Sequence, residues 1–180
     1  GFNQAELTII LANASAGPSG CDAAEFNFAP NPGEGAKPLR QIASSGEMAR
    51  VMLALKTVLA AADATPLLIF DEVDANIGGV VAHAVGRELA ALADGHQVLC
   101  ITHLPQVAAG ADRHFQVRKD TRGGRTLTLV EPLNEAERVA ELARMLGGSE
   151  SSSVVHTHAA ELLAKARRVP APKPRSKARS

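Results

Sequence analysis

Aromatic residues are scarce in this sequence, which has 5 Phe and neither Trp nor Tyr. A hydrophobic core must therefore be built mainly from Ala, Leu, Val and Ile, a composition that suits helices packed on a sheet. For the same reason, nucleic-acid binding through base stacking on aromatic platforms is disfavoured. Cysteine is equally scarce. Cys21 and Cys100 stand far apart without a CxxC pair, so the sequence predicts neither a disulfide framework nor a zinc site.

Long apolar runs are also missing. No stretch approaches the roughly 18 apolar residues of a membrane span, and the first residues lack the basic segment of a signal peptide. We therefore expect no membrane partner, and the two isolated cysteines fit the reducing cytoplasm. Gly1 has no Met before it and leads almost directly into a strand-like segment, which suggests a piece of a longer chain.

A phosphate-binding P-loop is absent as well. Such a loop has the form GxxxxGK followed by Ser or Thr. The chain contains no Gly directly followed by Lys. The nearest segment, PGEGAKP, has Ala36 before Lys37 and Pro38 after it. Nucleotide chemistry in this chain therefore requires a phosphate cradle from another segment.

The charge of the chain sums to zero but is unevenly distributed. Seven of the 19 basic residues lie within residues 165–180, which contain no acid, so the preceding part holds 12 basic and 19 acidic residues. Residues 169–180 are rich in Pro and charge and are predicted to be disordered. We thus predict one domain over residues 1–168 and a basic tail, which serves either a polyanionic partner or solubility.

Strand and helix patterns alternate along the rest of the chain. The predicted strands are Glu6–Leu11, Ala24–Phe28, Pro66–Phe70 and Gln97–Thr102, with a hairpin of His114–Arg118 and Arg125–Val130. The predicted helices run from Ser44 to about Ala62, from about Gly79 to Ala93, from Glu135 to Leu146 and from Ser152 to Arg168. A Gly/Pro/Ser-rich loop is expected between the first two strands. The apolar strand PLLIF is predicted to be buried on both faces of a parallel sheet.

The segment LLIFDEVD, residues 67–74, has the form of a Walker B strand. A hydrophobic strand delivers Asp71 to the sheet edge, where a carboxylate can hold Mg²⁺, while Glu72 can orient the water that attacks a γ-phosphate. Because side chains alternate along a strand, the two carboxylates are predicted to point to opposite faces. The alternative is a strand that ends in a solvated pair of acids.

The segment ASSGEMAR, residues 43–50, opens the first long helix. Ser44 with Glu47 three residues later has the spacing of a capping box, which needs no ligand. The same helix N-terminus, with its free N–H groups and positive dipole end, is alternatively an anion site for a phosphate.

A third segment, CITHLPQ, places His103 at the end of an apolar strand. The strand is predicted to lie in the same sheet as Asp71 and Glu72, so His103 is a candidate γ-phosphate contact. A structural histidine is the alternative. The remaining histidines lack a matched ligand set and are predicted to be surface or helix residues: His83, His96, His114, His156 and His158.

In this order and spacing, the three segments resemble the C-terminal half of an ABC ATPase, with its signature motif, Walker B strand, D-loop and switch histidine. NPGEGAKPLRQIASSGEMARVMLALK, LLIFDEVDANIGG and VLCITHLPQVAAGADRHFQVRK are similar to the RecN family, SMC-related bacterial DNA repair proteins. The resemblance covers most of residues 24–168. It implies an α/β fold, the C-terminal lobe of an ABC/SMC-type P-loop ATPase head, in which a mixed sheet is flanked by helices.

The resemblance also implies roles for particular residues. Signature residues that contact ATP bound to a second head are Ser44, Ser45, Gly46 and Glu47. Asp71 becomes the carboxylate linked to Mg²⁺, Glu72 the general base and His103 the γ-phosphate sensor, while Asp74 lies in the D-loop that crosses the dimer interface. The chain departs from the family at Ser45, where members usually have Gly, and a side chain there can hinder the approach of the backbone to phosphate.

The function implied by the resemblance is that of an SMC-like head in which ATP and Mg²⁺ are used only with an N-terminal Walker A lobe and a second head. Hydrolysis is expected to be coupled to double-stranded DNA ends and double-strand break repair, and the isolated chain is not expected to hydrolyse ATP. Two alternatives stand beside it: another SMC- or ABC-type ATPase, and a non-enzymatic DNA-binding module that acts through the basic tail.

Overall fold

The computed structural model describes residues 4–18, 20–42, 44–122, 125–147 and 152–168. Strands and helices alternate along these residues. The strands are β1 (Glu6–Gly17), β2 (Gly20–Ala29), β3 (Lys37–Pro38), β4 (Leu67–Phe70), β5 (Gln97–Cys100), β6 (Phe115–Arg122) and β7 (Arg125–Pro132). The helices are α1 (Ser45–Leu59), α2 (Gly79–Leu92), α3 (Pro105–Ala108), α4 (Glu135–Met145) and α5 (Ser153–Arg168). Parallel and antiparallel pairing both occur, in three separate sheets.

The first sheet is an antiparallel hairpin of β1 and β2, with β3 paired to the outer edge of β2. The two strands lie where the sequence predicts them, but the expected loop between them is mostly strand. β1 continues to Gly17 and β2 begins at Gly20. A register shift between Asn13 and Gly17 absorbs the Ser- and Gly-containing stretch, as β-bulges commonly do.

The second sheet, which positions the candidate site, is the parallel pair β4 and β5 joined by α2. Ile69 lies beside Leu99, and Phe70 lies beside Cys100. One face of this sheet packs against α1 and α2. The buried core on that face contains Leu53, Leu68, Phe70, Val73, Ala82, Val85, Leu89, Leu92 and Val107.

The opposite face of the same sheet carries Leu67, Ile69, Leu99 and Ile101, which are 43–61% exposed. We call these four side chains the uncovered face. The prediction that PLLIF is buried on both faces is therefore wrong for the part of the chain described. The residues of α1 and α2 that pack on the sheet all belong to the core on the other side.

A second core cluster joins α4 and α5 to the end of α3. Its members include Ala108, Ala109, Leu142 and Leu162. The hairpin of β6 and β7 stands beside this cluster, and Leu133 N–H donates to His114 O at 2.9 Å at its base. His114, which the sequence assigns to the surface or a helix, is half-buried here.

The other predicted helices and strands are confirmed with shifts of a few residues at their ends, and the one-turn α3 was not predicted. After α1, residues 60–62 add a short 3-10 turn. Residues 169–180 lie outside the described residues, so the basic tail and its boundary stay a prediction. In the part that is described, none of the helices has the length and apolar character of a membrane span.

Candidate functional site

The carboxyl ends of β4 and β5 bring two of the predicted motifs together. Ile101 N–H donates to Phe70 O at 2.9 Å, so the two parallel strands end side by side. The residues that follow, Asp71 after one strand and His103 after the other, therefore leave the sheet at the same edge. Loops at the carboxyl ends of parallel strands are the usual place for ligand contacts in α/β folds.

Asp71 and Glu72 lie beyond the last residue of β4, in a turn. Glu72 has a φ of 57°, a left-handed conformation that costs a non-glycine residue on the order of 1–3 kcal/mol. Ala75 N–H closes the turn by donating to Glu72 O at 2.9 Å. The prediction that the two carboxylates alternate as strand residues is therefore wrong, because both lie beyond β4 and the left-handed conformation sets the direction of Glu72.

Ser44 is the N-cap of α1. Its Oγ accepts a hydrogen bond from Glu47 N–H at 3.4 Å, and its carbonyl accepts from Met48 N–H at 3.0 Å. The reciprocal bond of a capping box, from Ser44 N–H to the Glu47 carboxylate, is not among the contacts of the described residues. Ser44 is therefore confirmed as the cap of α1, but only one of the two hydrogen bonds of a capping box is present among the described residues.

Gly46 determines how closely α1 approaches the turn after β4. A Cβ built on Gly46 would lie 2.8 Å from Ala75 Cβ and 3.1 Å from Glu72 O. Real Cβ atoms do not approach other atoms this closely, so a larger residue would force the two segments apart. The first turn of α1 and the turn of residues 72–75 are thus packed closely, with no room for a side chain at Gly46.

Two side chains of α1 also reach this turn. Ser45 Oγ donates to Glu72 Oε2 at 2.5 Å. Arg50 Nη1 donates to Ala75 O at 2.9 Å and to Val73 O at 3.4 Å, and burial lowers the pKa of Arg50. Nothing in the sequence pattern distinguishes Arg50 from a solvent-facing residue of α1, so this contact was not predicted.

Asp74 is 2% exposed, and its carboxylate holds the loop that carries His103. Oδ2 accepts from His103 N–H at 3.0 Å, from Leu104 N–H at 3.3 Å and from the Thr102 hydroxyl. His103 Nδ1 lies 3.3 Å from the same oxygen, although the imidazole itself is 70% exposed. Thr102 was missed by sequence reasoning. The role of Asp74 at a dimer interface stays a prediction, since its side chain points into the chain.

Cys100 ends β5 close to these carboxylates. Burial, followed by the negative charges of Asp74 and Asp71, raises the pKa of its thiol to about 12. A thiol with such a pKa is protonated at neutral pH and is a poor nucleophile. Cys100 is therefore not a candidate nucleophile at this edge.

Asp71 fits a Mg²⁺ ion that arrives with a nucleotide better than a resident metal ion. Its carboxylate is exposed at the end of β4. Within the described ranges, no group of three or more His, Cys, Asp or Glu side chains is arranged to hold a metal ion. Mg²⁺ typically takes one or two carboxylates, several waters and substrate phosphates. One exposed carboxylate at this edge meets that requirement.

Curated relatives match most of this chain. The DNA repair protein RecN of Streptomyces coelicolor is 51% identical over 151 residues, which are 84% of this chain and 26% of the relative. RecN of Bacillus subtilis is 45% identical over 150 residues, 83% of this chain and 26% of the relative. RecN of Deinococcus radiodurans is 51% identical over 139 residues, which are 77% of this chain and 24% of the relative. The chain thus spans about a quarter of the length of the curated relatives that it matches. No family model matches it.

Solved structures with a similar fold are SMC heads. The Smc head domain with a coiled coil and joint from Pyrococcus yayanosii has a TM-score of 0.60 at 24% identity, covering 79% of this chain and 26% of that one. The Smc head domain with an extended coiled coil from Pyrococcus furiosus has a TM-score of 0.51 at 24% identity, covering 79% of this chain and 34% of that one. These similarities confirm the predicted fold class. By sequence identity across four-fifths of its length, the chain belongs to the RecN family, and its fold is that of an SMC head domain.

Proposed function

We propose that this chain is the C-terminal half of an SMC-like ATPase head, which binds and hydrolyses ATP only with an N-terminal Walker A lobe and a second head. The observation that carries this proposal is the carboxyl edge of β4 and β5. Asp71, Glu72 and His103 there supply groups for a metal ion, a water and a γ-phosphate, yet the sequence has no Gly-Lys pair to hold the remaining phosphates.

The uncovered face supports an N-terminal lobe as the partner. Its four side chains are aliphatic and exposed, and they lie in the adjacent strands β4 and β5 or, for Ile101, directly after β5. Parallel sheets are normally covered on both faces, because exposed aliphatic surface is unfavourable in water. A lobe that packs on this face can bring its phosphate-binding loop to the edge that carries Asp71 and His103.

The side chains at this edge have different roles in the proposed hydrolysis. Glu72 orients the attacking water and accepts its proton, and Asp71 holds the metal ion. Mg²⁺, when bound with the nucleotide, neutralises charge that develops on the phosphates. His103 contacts the γ-phosphate from a loop that Asp74 holds in place through two backbone N–H groups and the Thr102 hydroxyl.

A second head is part of the proposal because the start of α1 is suited to bind phosphate. The signature residues there are Ser44, Ser45, Gly46 and Glu47. A helix N-terminus presents free N–H groups and a positive dipole end, which favour an anion. In the proposed dimer this end of α1 contacts the nucleotide of the other head. The inward contacts of Asp74 support a positioning role for it and not a direct contact with nucleotide.

The biological setting is proposed from the relatives, whose names describe DNA repair proteins. We expect ATP turnover to be coupled to double-stranded DNA ends during double-strand break repair, in the cytoplasm near the nucleoid. We expect double-stranded DNA to increase the ATP turnover of the reconstituted head, and the increase to grow with the number of DNA ends.

Reconstitution tests the proposal. The chain alone should hydrolyse ATP no faster than background, and addition of an N-terminal Walker A lobe should restore turnover. In the reconstituted ATPase, Glu72→Gln should lower kcat by at least about 100-fold, while ATP-dependent dimerisation measured by analytical ultracentrifugation persists. Glu88→Gln in α2 is the control and should change neither kcat nor ATP-dependent dimerisation. Robust hydrolysis by the chain alone would contradict the proposal.

A further inference from the structure

Ser45 and Glu72 belong, under the proposed function, to two different nucleotide sites. Glu72 serves the nucleotide of its own head, whereas the start of α1 faces the nucleotide of the second head. Within this chain, however, the Ser45 hydroxyl donates to Glu72 Oε2 at 2.5 Å. One hydrogen bond therefore joins groups that the two-head arrangement assigns to separate sites.

Ser45 and Glu72 are both exposed, but their backbones are held close together. A Cβ on Gly46 would lie 2.8 Å from Ala75 Cβ, so the helix start and the turn are in contact. Glu72 is held in its left-handed conformation with φ 57°, and Arg50 bonds the carbonyl of Ala75 on the same turn. Because these contacts hold the helix start close to the turn, the Ser45–Glu72 hydrogen bond requires only the ordering of two exposed side chains and adds one more link between the two segments.

A serine hydroxyl has one proton to donate. In this chain the acceptor is the Glu72 carboxylate. A γ-phosphate presented by the second head competes strongly for the same proton, since it brings several charged oxygens to the N-terminus of α1. The hydroxyl serves one of these acceptors at a time. Nucleotide at one site therefore releases the carboxylate of the other.

We propose that Ser45 is a positioning residue that holds Glu72 away from the attacking water until the nucleotide of the second head takes its hydroxyl. The inference rests on the proposed function and adds a coupling between the two sites of the dimer. It also gives a role to the position at which this chain departs from the Gly usual in its family. Glycine has no hydroxyl and leaves Glu72 untethered.

Hydrogen–deuterium exchange on the complete, nucleotide-free ATPase tests the tether itself. Loss of a hydrogen bond to a charged group in Ser45→Ala should speed amide exchange of residues 72–75 by about fivefold or more, and Ser45→Thr should keep the parent rate. Thr157→Ala is the matched control, since it removes an exposed hydroxyl bonded to Ser153 O within α5. The control should leave residues 72–75 unchanged. Equal exchange in Ser45→Ala and the parent overturns the proposal.

Mixed dimers test the release. One head keeps its P-loop, and the other carries a replacement of its P-loop lysine, so that only the first head binds nucleotide. Ser45→Ala in the nucleotide-binding head should raise its hydrolysis about fivefold, because its own Glu72 is freed. The same substitution in the nucleotide-blind head removes only a contact across the interface and should not raise the rate. A rise with neither placement, or an equal rise with both, overturns the proposal.

The two proposals fail in different ways. If the complete ATPase turns over no ATP in any form, the proposed function is refuted, and the exchange measurement still decides whether Ser45 holds Glu72. If turnover is normal and Ser45→Ala changes neither the exchange of residues 72–75 nor single-site hydrolysis, only the tether is refuted.

Discussion

The covered and uncovered faces of the β4–β5 sheet are made by alternate residues of the same strands, but only one face is a core. Phe70 is 6% exposed and packs in the cluster with α1 and α2, whereas Ile69, one residue earlier, is 61% exposed. Both side chains are large and apolar, so the position of the helices causes the difference. One half of the apolar surface of this sheet stabilises the chain, and the other half is available to a partner.

Replacing these two neighbours by Ala tests the comparison most directly. Phe70→Ala should lower the free energy of unfolding by about 3–5 kcal/mol, because it leaves a cavity in the core. Ile69→Ala should lower it by less than about 0.5 kcal/mol, yet it should weaken binding of the N-terminal lobe. Urea denaturation followed by circular dichroism measures the first effect, and titration calorimetry the second. Equal destabilisation by both substitutions would remove the distinction between the faces.

Asp74→Ala sharpens the comparison at the edge where the two faces end. The substitution removes the acceptor of His103 N–H and one of the two acceptors of Leu104 N–H and of the Thr102 hydroxyl. We expect the free energy of unfolding to fall by about 2–3 kcal/mol. Asp74→Asn retains one acceptor oxygen and should cost less. Thermal unfolding checks both variants, and a fully stable Asp74→Ala chain would show that the carboxylate does not hold the loop.

Gly46→Ala tests whether the tight packing of the covered face continues to the start of α1. The added methyl group meets Ala75 Cβ and Glu72 O, and relief of this overlap should destabilise the chain by about 1–2 kcal/mol. Gly95→Ala is the control, because a Cβ there meets nothing within 4 Å. Denaturation midpoints of the two variants give the measurement. If they agree, the helix start and the turn are not in tight contact.

His114 provides the smallest expected effect, in the second cluster and away from both faces. Its Nδ1 is buried without a hydrogen-bond partner among the described residues. Burial, followed by the positive charge of Arg138, lowers the pKa of His114 from its ordinary value of 6.5. As the pH falls through that value, the unfolded chain binds a proton that the folded chain does not, so stability decreases. His114→Gln should flatten this part of a stability–pH curve, and an unchanged slope would contradict it.

Much of the fold was predictable because its signals are local. The apolar residues of α1 recur at helical spacing, and the strand that ends in Asp71 is followed by a helix and a second strand of similar length. The shared edge of Asp71 and His103 follows from that order. The extent of the first hairpin was not predictable, because the Ala, Ser and Asn residues in its centre have low strand propensity.

The details of the site depend on contacts between distant residues, and the sequence carries no local signal for them. Ser45 and Glu72 are 27 residues apart, and Arg50 reaches a carbonyl 25 residues away. The left-handed Glu72 was missed because glutamate, unlike glycine or asparagine, does not mark such a conformation. The uncovered face was missed for another reason: every residue of LLIF is apolar, so no alternation distinguishes an open face from a packed one.

The contact at Gly46 limits how the start of α1 can move. With no gap between that helix and Ala75, and with Arg50 bonded to two carbonyls of the turn, neither segment can slide past the other. Under the proposed function, a small displacement of the start of α1 by an incoming phosphate is therefore transmitted to residues 72–75. In the proposed dimer, nucleotide binding at one site would thus alter the position of Glu72, which serves the other site.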